Sequence, residues 1–193
     1  MTTSSKLLLL LAFALLLAGC WNPFRPPLQD ESAAEIRNRT PLELLNNLER
    51  AYSERNIEIF KSLLAPDFRF ELISTEVSQI GIDVNGDSIL DSWWGYEQEV
   101  EYTRNLFTDG SSDGSHLPPD ELQLRLTVPP EEIWEPDPEL GHESWVVIPC
   151  GFSLILTYHS TNSALTANGV ARFYLKPVAN RWYIAIWRDE SNL

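Results

Sequence analysis

Cationic side chains are scarce in this chain of 193 residues: 14 lysines and arginines stand against 28 aspartates and glutamates, a formal charge of −14. Such a surface repels phosphate backbones, so no nucleic acid partner is expected, and the polypeptide has no attraction of its own for anionic lipid. Cysteine is nearly absent. Cys20 and Cys150 are the only two, and they are not partners, since the first follows an apolar leader and the second lies on an apolar strand face; Cys150 reads as a buried thiol. No disulfide scaffold is needed, because residues 40–193 are enough to bury a core of their own. Missing as well are a G-x-S-x-G elbow, a P-loop, a dinucleotide fingerprint, H-E-x-x-H and C-x-x-C, so no cofactor and no metal are implied. The longest apolar run is the eleven residues Leu7 to Leu17, about half of what a membrane-spanning helix requires.

That run fits a cleaved signal segment, with polar residues and Lys6 before it. Leu17-Ala18-Gly19-Cys20 follows directly and resembles the bacterial lipobox. The resemblance implies cleavage before Cys20 and diacylglycerol on its thiol, so residues 1–19 are read as a lipoprotein signal peptide. Trp21 stands where an inner-membrane retention aspartate would be, which points to the outer membrane of the cell envelope, facing the periplasm. Residues 20–39, with Pro23, Pro26 and Pro27 and little apolar periodicity, read as a lipidated tether.

The domain is read over 40–193. Thr40, Pro41 and Glu43 form a helix-start signal, and Leu42, Leu45, Leu48 and Tyr52 recur at helical spacing. Asn56 can cap a second helix, with Ile57, Phe60, Leu63 and Leu64 inward and Pro66 ending it. Phe68, Phe70 and Leu72 alternate as a short strand. Asp83, Asn85 and Asp87 sit at the first, third and fifth positions of a calcium-type loop, but Ser88 and Trp94 occupy places that such a loop gives to glycine and glutamate, and the stretch reads as an Asx/Gly turn. Trp93, Tyr96, Val100, Thr103 and Phe107 predict a third helix from Ser92 to Phe107. Gly110 to Gly114 lacks the strand and helix context of a phosphate loop. Leu122, Leu124, Leu126 and Val128 then alternate strictly, residues 129–142, proline-rich and acidic, read as a projecting loop or an irregular hairpin arm, and three strands complete an antiparallel meander. In its first strand Val146, Ile148, Cys150, Phe152, Leu154, Leu156 and Tyr158 share one face.

The order Tyr52 to Asn56, Leu63-Leu64-Ala65-Pro66-Asp67-Phe68-Arg69-Phe70, the Trp94 to Phe107 helix, then Phe173-Tyr174-Leu175-Lys176 and Trp182-Tyr183-Ile184 to Trp187-Arg188-Asp189 resembles the nuclear transport factor 2-like (SnoaL-like) superfamily. The resemblance implies an α+β, cystatin-like cone in which three N-terminal and central helices pack on a strongly bent antiparallel sheet. It also implies a pocket at the open end and pairing of subunits through the outer sheet face. Tyr183 and Trp187, read on that face, lead us to expect a homodimer.

Enzymes of that superfamily need an ionisable group inside the cone. The inward strand positions carry none, His116, His142 and His159 fall in loops or beside a turn, and a bulge near Pro149 or Gly151 would be needed to carry His159 or Arg172 inside. No catalytic residue is assigned. The expected function is a membrane-anchored envelope lipoprotein whose domain binds an apolar small molecule or another envelope protein, with Trp93, Trp94, Tyr96, Phe152 and Tyr158 as pocket candidates. The alternative is a lyase or isomerase, of the SnoaL or ketosteroid-isomerase kind, acting on an apolar small molecule.

Overall fold

The computed structural model describes residues 36–111 and 113–191. Cys20, the apolar leader and most of the tether lie outside the described residues. Helix α1 (Pro41–Ser53) begins as its sequence dictates, with the Thr40 hydroxyl accepting the Glu43 N–H at 3.1 Å. The reciprocal bond reaches one residue further back than a capping box would, from Arg39 N–H to Glu43 Oε2 at 2.8 Å. Asn56 caps α2 (Ile57–Leu63) by accepting from Glu58 and Ile59. This helix ends before Pro66, because Leu64 turns extended and opens strand β1 (Leu64–Glu71). Contact with the domain starts upstream of Thr40: the Asn38 carbonyl accepts the Trp182 N–H and the Ile36 carbonyl accepts from Arg181.

A one-turn helix α3 (Val77–Ile80) precedes the acidic loop. There Asp83 spends both carboxylate oxygens on its own backbone, accepting from Gly86, Asp87 and Ser88, which is the Asx turn that the sequence predicts. The third helix starts later than predicted. Trp93–Gly95 is a strand, β2, paired antiparallel to β1, and α4 runs Tyr96–Arg104 before widening into a π-helical turn over Asn105–Asp109. Gly110 ends that turn at φ 75°, and a Cβ there would lie 2.4 Å from the His116 carbonyl oxygen. Only glycine fits.

Strands β3 (Glu121–Thr127), β5 (Val146–Tyr158), β6 (Ser163–Val178) and β7 (Arg181–Asp189) form the curved sheet, with the two-residue β4 (Glu135–Pro136) beside the start of β5. The order is β2-β1-β7-β6-β5-β3. All pairings are antiparallel except β1 with β7, so the sheet is mixed rather than purely antiparallel. The long β5–β6 ladder is in continuous register from Val146↔Leu175 to Tyr158↔Ser163, with no bulge at Pro149 or Gly151. The apolar face read from parity is therefore one face throughout.

That face closes on the helices. Leu44, Leu45, Leu48, Phe60, Leu63, Phe107, Leu124, Ile148, Cys150, Phe173, Leu175 and Ile184 are all buried in a single cluster. Tyr52, Phe60 and Phe107 meet edge to face, with centroids 5.2 to 6.2 Å apart, locking α1, α2 and the π turn together. Phe152, on the same face, is only half-buried, because the β5–β6 hairpin runs on beyond the helices and β6 is exposed from Ser163 to Asn168.

Two readings of the outer face need correction. A register shift between Tyr174 and Leu175 pairs Phe173 with Trp187 but Leu175 with Ile184. One extra residue of β7 is thus accommodated, and Trp187, 8% exposed, joins the core instead of standing beside Tyr183. Residues 129–142 are not a projecting loop either but the hairpin arm, since Glu135 and Pro136 pair with Val147 and Val146. Its turn from Asp137 to Trp145 lies across the outer face, with Trp145 under the Lys176 ammonium (5.5 Å) and His142 and Trp145 beside Ala185 and Ile186.

Candidate functional site

Three places in the domain bring chemistry-bearing groups together. The first is the open end of the cone. The π turn pushes Asn105 and Leu106 outward, Gly110 lets the following loop fold back, and Leu117, Pro118 and Pro119 come to face Tyr158 at the end of β5. They line an open cavity of about 250 Å3 with a largely apolar wall. Leu117 is mostly exposed at its rim. His116 and Ser111 complete the lining, so a histidine that the sequence places in a solvated loop stands at the only cavity among the described ones that Tyr158 reaches. π turns of this kind recur at functional sites because the widened backbone re-aims side chains.

The second place was missed from the sequence. Glu99, on the inner side of α4, is 6% exposed. The Trp94 indole N–H donates to its Oε2 at 2.7 Å and the Thr103 hydroxyl to its Oε1 at 3.3 Å. The buried Tyr52 lies close enough to feel the Glu99 charge, so side chains from α1, β2 and α4 bring polar groups together in the core. Burial pushes the Glu99 carboxyl up to about 7, against the pull of the Trp94 and Thr103 hydrogen bonds. The Tyr52 phenol is pushed well above its usual range by burial and by the neighbouring Glu99. An ionisable group therefore does lie inside the cone, contrary to the reading of the strands, which considered only sheet positions. It does not line the apolar cavity, whose nearest residues in sequence, Asn105 and Leu106, belong to the π turn that follows α4.

The remaining candidates separate. Trp94 is buried, stacked on Phe70 with centroids 4.4 Å apart, and serves Glu99. Trp93, on the other side of β2, is exposed beneath the Arg69 guanidinium at 5.2 Å. Tyr96 is half-buried at the start of α4 and packs on the core, as does Phe152 on β5. Of the five, Tyr158 lines the apolar cavity. His159 is exposed, its N–H bonded to Asp120 and its Nε2 3.3 Å from Glu121, and Arg172 is held on the outer face between Glu135 and Glu190.

The third place is on the outer face, under the arm. Asp137, almost fully buried, receives His142 Nδ1 at 2.7 Å on Oδ2 and the Glu139 N–H on Oδ1. The His142 ring stacks on Trp145 with centroids 3.6 Å apart and planes within 7°. Glu139, His142 and Trp145, with Asp67, Arg69, Ala185 and Ile186, line a cavity of about 160 Å3. The largest cavity described, about 480 Å3, lies at the end of α1 against the edge of β3, and its wall holds Glu54, Asp120 and Glu121 against the single cation Arg55. Arg55 is itself bonded to the Pro119 carbonyl.

No family model and no curated protein matches the chain. Solved structures do. A nuclear transport factor 2-like superfamily protein from Salmonella enterica serovar Typhimurium superimposes with a TM-score of 0.50 at 14% identity, covering 78% of this chain and 87% of that one. A protein provisionally named a scytalone dehydratase, from Novosphingobium aromaticivorans, gives 0.51 at 8% identity over 79% and 81%. A conserved protein from Planctomyces limnophilus gives 0.52 at 12% identity over 75% and 88%. The likeness is one of fold: the domain is a nuclear transport factor 2-like cone.

Proposed function

We propose that this chain is a lipid-anchored protein of the bacterial envelope whose cone holds a small apolar molecule at its open end. The observation that carries the reading is the cavity between Leu106, Leu117, Pro118, Pro119 and Tyr158, apolar in its wall and of a size for one compact guest. The exposed leucine at its rim loses contact with water when a guest enters. Glu99 does not reach this cavity, and both of its oxygens already accept hydrogen bonds, so binding without turnover is the reading preferred here. The lipid anchor rests on the Leu17 to Cys20 motif alone.

The test uses the full chain and a neutral apolar fluorophore, N-phenyl-1-naphthylamine. A saturable rise in emission is expected, weakened at least tenfold by Leu117→Glu, which places a charge at the rim. No saturable signal in the wild-type chain overturns the binding reading.

A lyase or isomerase is the second reading, and one observation favours it: His116 and Tyr158 share the apolar cavity. A fold shared with a protein named a scytalone dehydratase is compatible with it. Deuterium from D2O should then enter the α-carbon of an aryl ketone such as 1-indanone faster than in buffer, and His116→Ala should remove the excess. Exchange at the buffer rate leaves binding alone.

A further inference from the structure

We propose that the outer-face cavity under the arm is a second binding site, for a small zwitterion of the α-amino acid class. Its walls hold two opposite charges, Arg69 and Glu139, that do not pair with each other. Arg69 makes no hydrogen bond or ion pair among the described residues; its guanidinium stands over the Trp93 ring and acts at longer range on Asp67, whose own ion pair is with Lys176. Glu139, across the same cavity, has His142 Nδ1 at 3.7 Å, but that nitrogen is already committed to Asp137 at 2.7 Å. Two unlike charges lining one cavity without pairing leave a gap suited to a guest that is negative at one end and positive at the other.

The other groups narrow the guest. With Nδ1–H donated to the buried Asp137, Nε2 is the nitrogen of His142 left for a guest, and in the imidazole form it is a hydrogen-bond acceptor. Its orientation is fixed by the Asp137 bond and by the Trp145 stack. An ammonium can donate to that nitrogen while facing Glu139, and a carboxylate on the adjacent carbon can take the Arg69 fork. Asp67 is neutralised by its pair with Lys176, whose ammonium also lies 5.5 Å over Trp145. The floor is apolar, from Ala185 and Ile186. A volume of about 160 Å3 equals on the order of five water molecules, which admits a small amino acid and no peptide. This site shares none of its lining residues with the apolar cavity at the mouth of the cone.

Titration of the full chain, labelled with 15N, with L-alanine tests the proposal, and the Trp145 indole and His142 imidazole signals are the readout. Saturable shifts at both are expected, with at least a tenfold weaker midpoint in Arg69→Gln and in Glu139→Gln. Both residues are on the surface, and unchanged circular dichroism of the variants separates lost binding from lost folding. Acetate and methylammonium, each carrying one of the two charges, should bind at least tenfold more weakly than alanine. The absence of shifts at 20 mM alanine, or acetate binding as well as alanine, overturns the zwitterion site. Neither result touches the naphthylamine titration, which reads the other cavity.

Discussion

Glu99 gives the fold a pH dependence whose sign follows from its burial. Its carboxyl is raised from 4.5 to about 7 in the folded chain, so the folded state holds the proton more tightly than the unfolded state. Stability from this group is full below pH 4.5, declines as pH rises from there towards 7, and is flat above. A shift of that size corresponds to at most about 3 kcal/mol. Glu99→Gln keeps an acceptor for Trp94 and removes the charge, so urea unfolding should find the variant more stable than wild type at pH 8 and without the decline. Cys150 is the opposite case, inert at any ordinary pH: it is fully buried and its thiol is pushed up to about 12. Iodoacetamide at pH 8 should leave it unmodified in the folded protein and alkylate it in urea. The buried thiol was legible from strand parity, but Glu99 was not. It lies three residues after Tyr96 and four before Thr103, on the stripe that was recognised, yet a glutamate is assigned to solvent unless a partner is known. The partner, Trp94, was read as part of the same helix and not as a strand residue reaching across to it.

Elements were legible where their signals are local and illegible where they depend on a partner strand. Thr40, Pro41 and Asn56 announce the helices through groups within four residues, and the alternation of β3 and β5 survives because no residue interrupts their ladder. The bulge in β7 has no local signature. It exists only as a mismatch with β6, and it moved Trp187 from the surface to the core. Phe173, fully buried against Trp187 with centroids 4.9 Å apart, should cost about 3–5 kcal/mol on truncation to alanine. Phe152→Ala, at a half-buried site, should cost less than half as much in the same urea titration. The edge of β3 depends on α1 in a similar way, since Glu49 Oε1 accepts the Leu126 N–H at 2.6 Å. Glu49→Ala should lose about 1.5–3 kcal/mol, the range for a hydrogen bond to a charged group.

For the whole molecule, the anchor proposed on Cys20 would set where the domain works. Two or three acyl chains, at about 0.8 kcal/mol per buried methylene, should hold it on a membrane nearly permanently. Cys20→Ala should release the protein to the soluble fraction or leave an uncleaved precursor, and fractionation with mass measurement of the N-terminus checks this. The sheet order adds a constraint on how such a chain reaches its destination. The last strand, β7, is not an edge: it lies between β1 and β6 and is the parallel partner that joins the beginning of the domain to its end. A chain stopped at Asn180 has β1 and β2 with nothing to attach them to the meander, and its circular dichroism should be that of an unfolded protein. The sheet therefore cannot close before Arg181–Asp189 has been made, because that strand joins β1 to the meander. Until then the polypeptide stays slack, and a slack thread is the form in which the export leader proposed at residues 1–19 would carry it through a narrow pore.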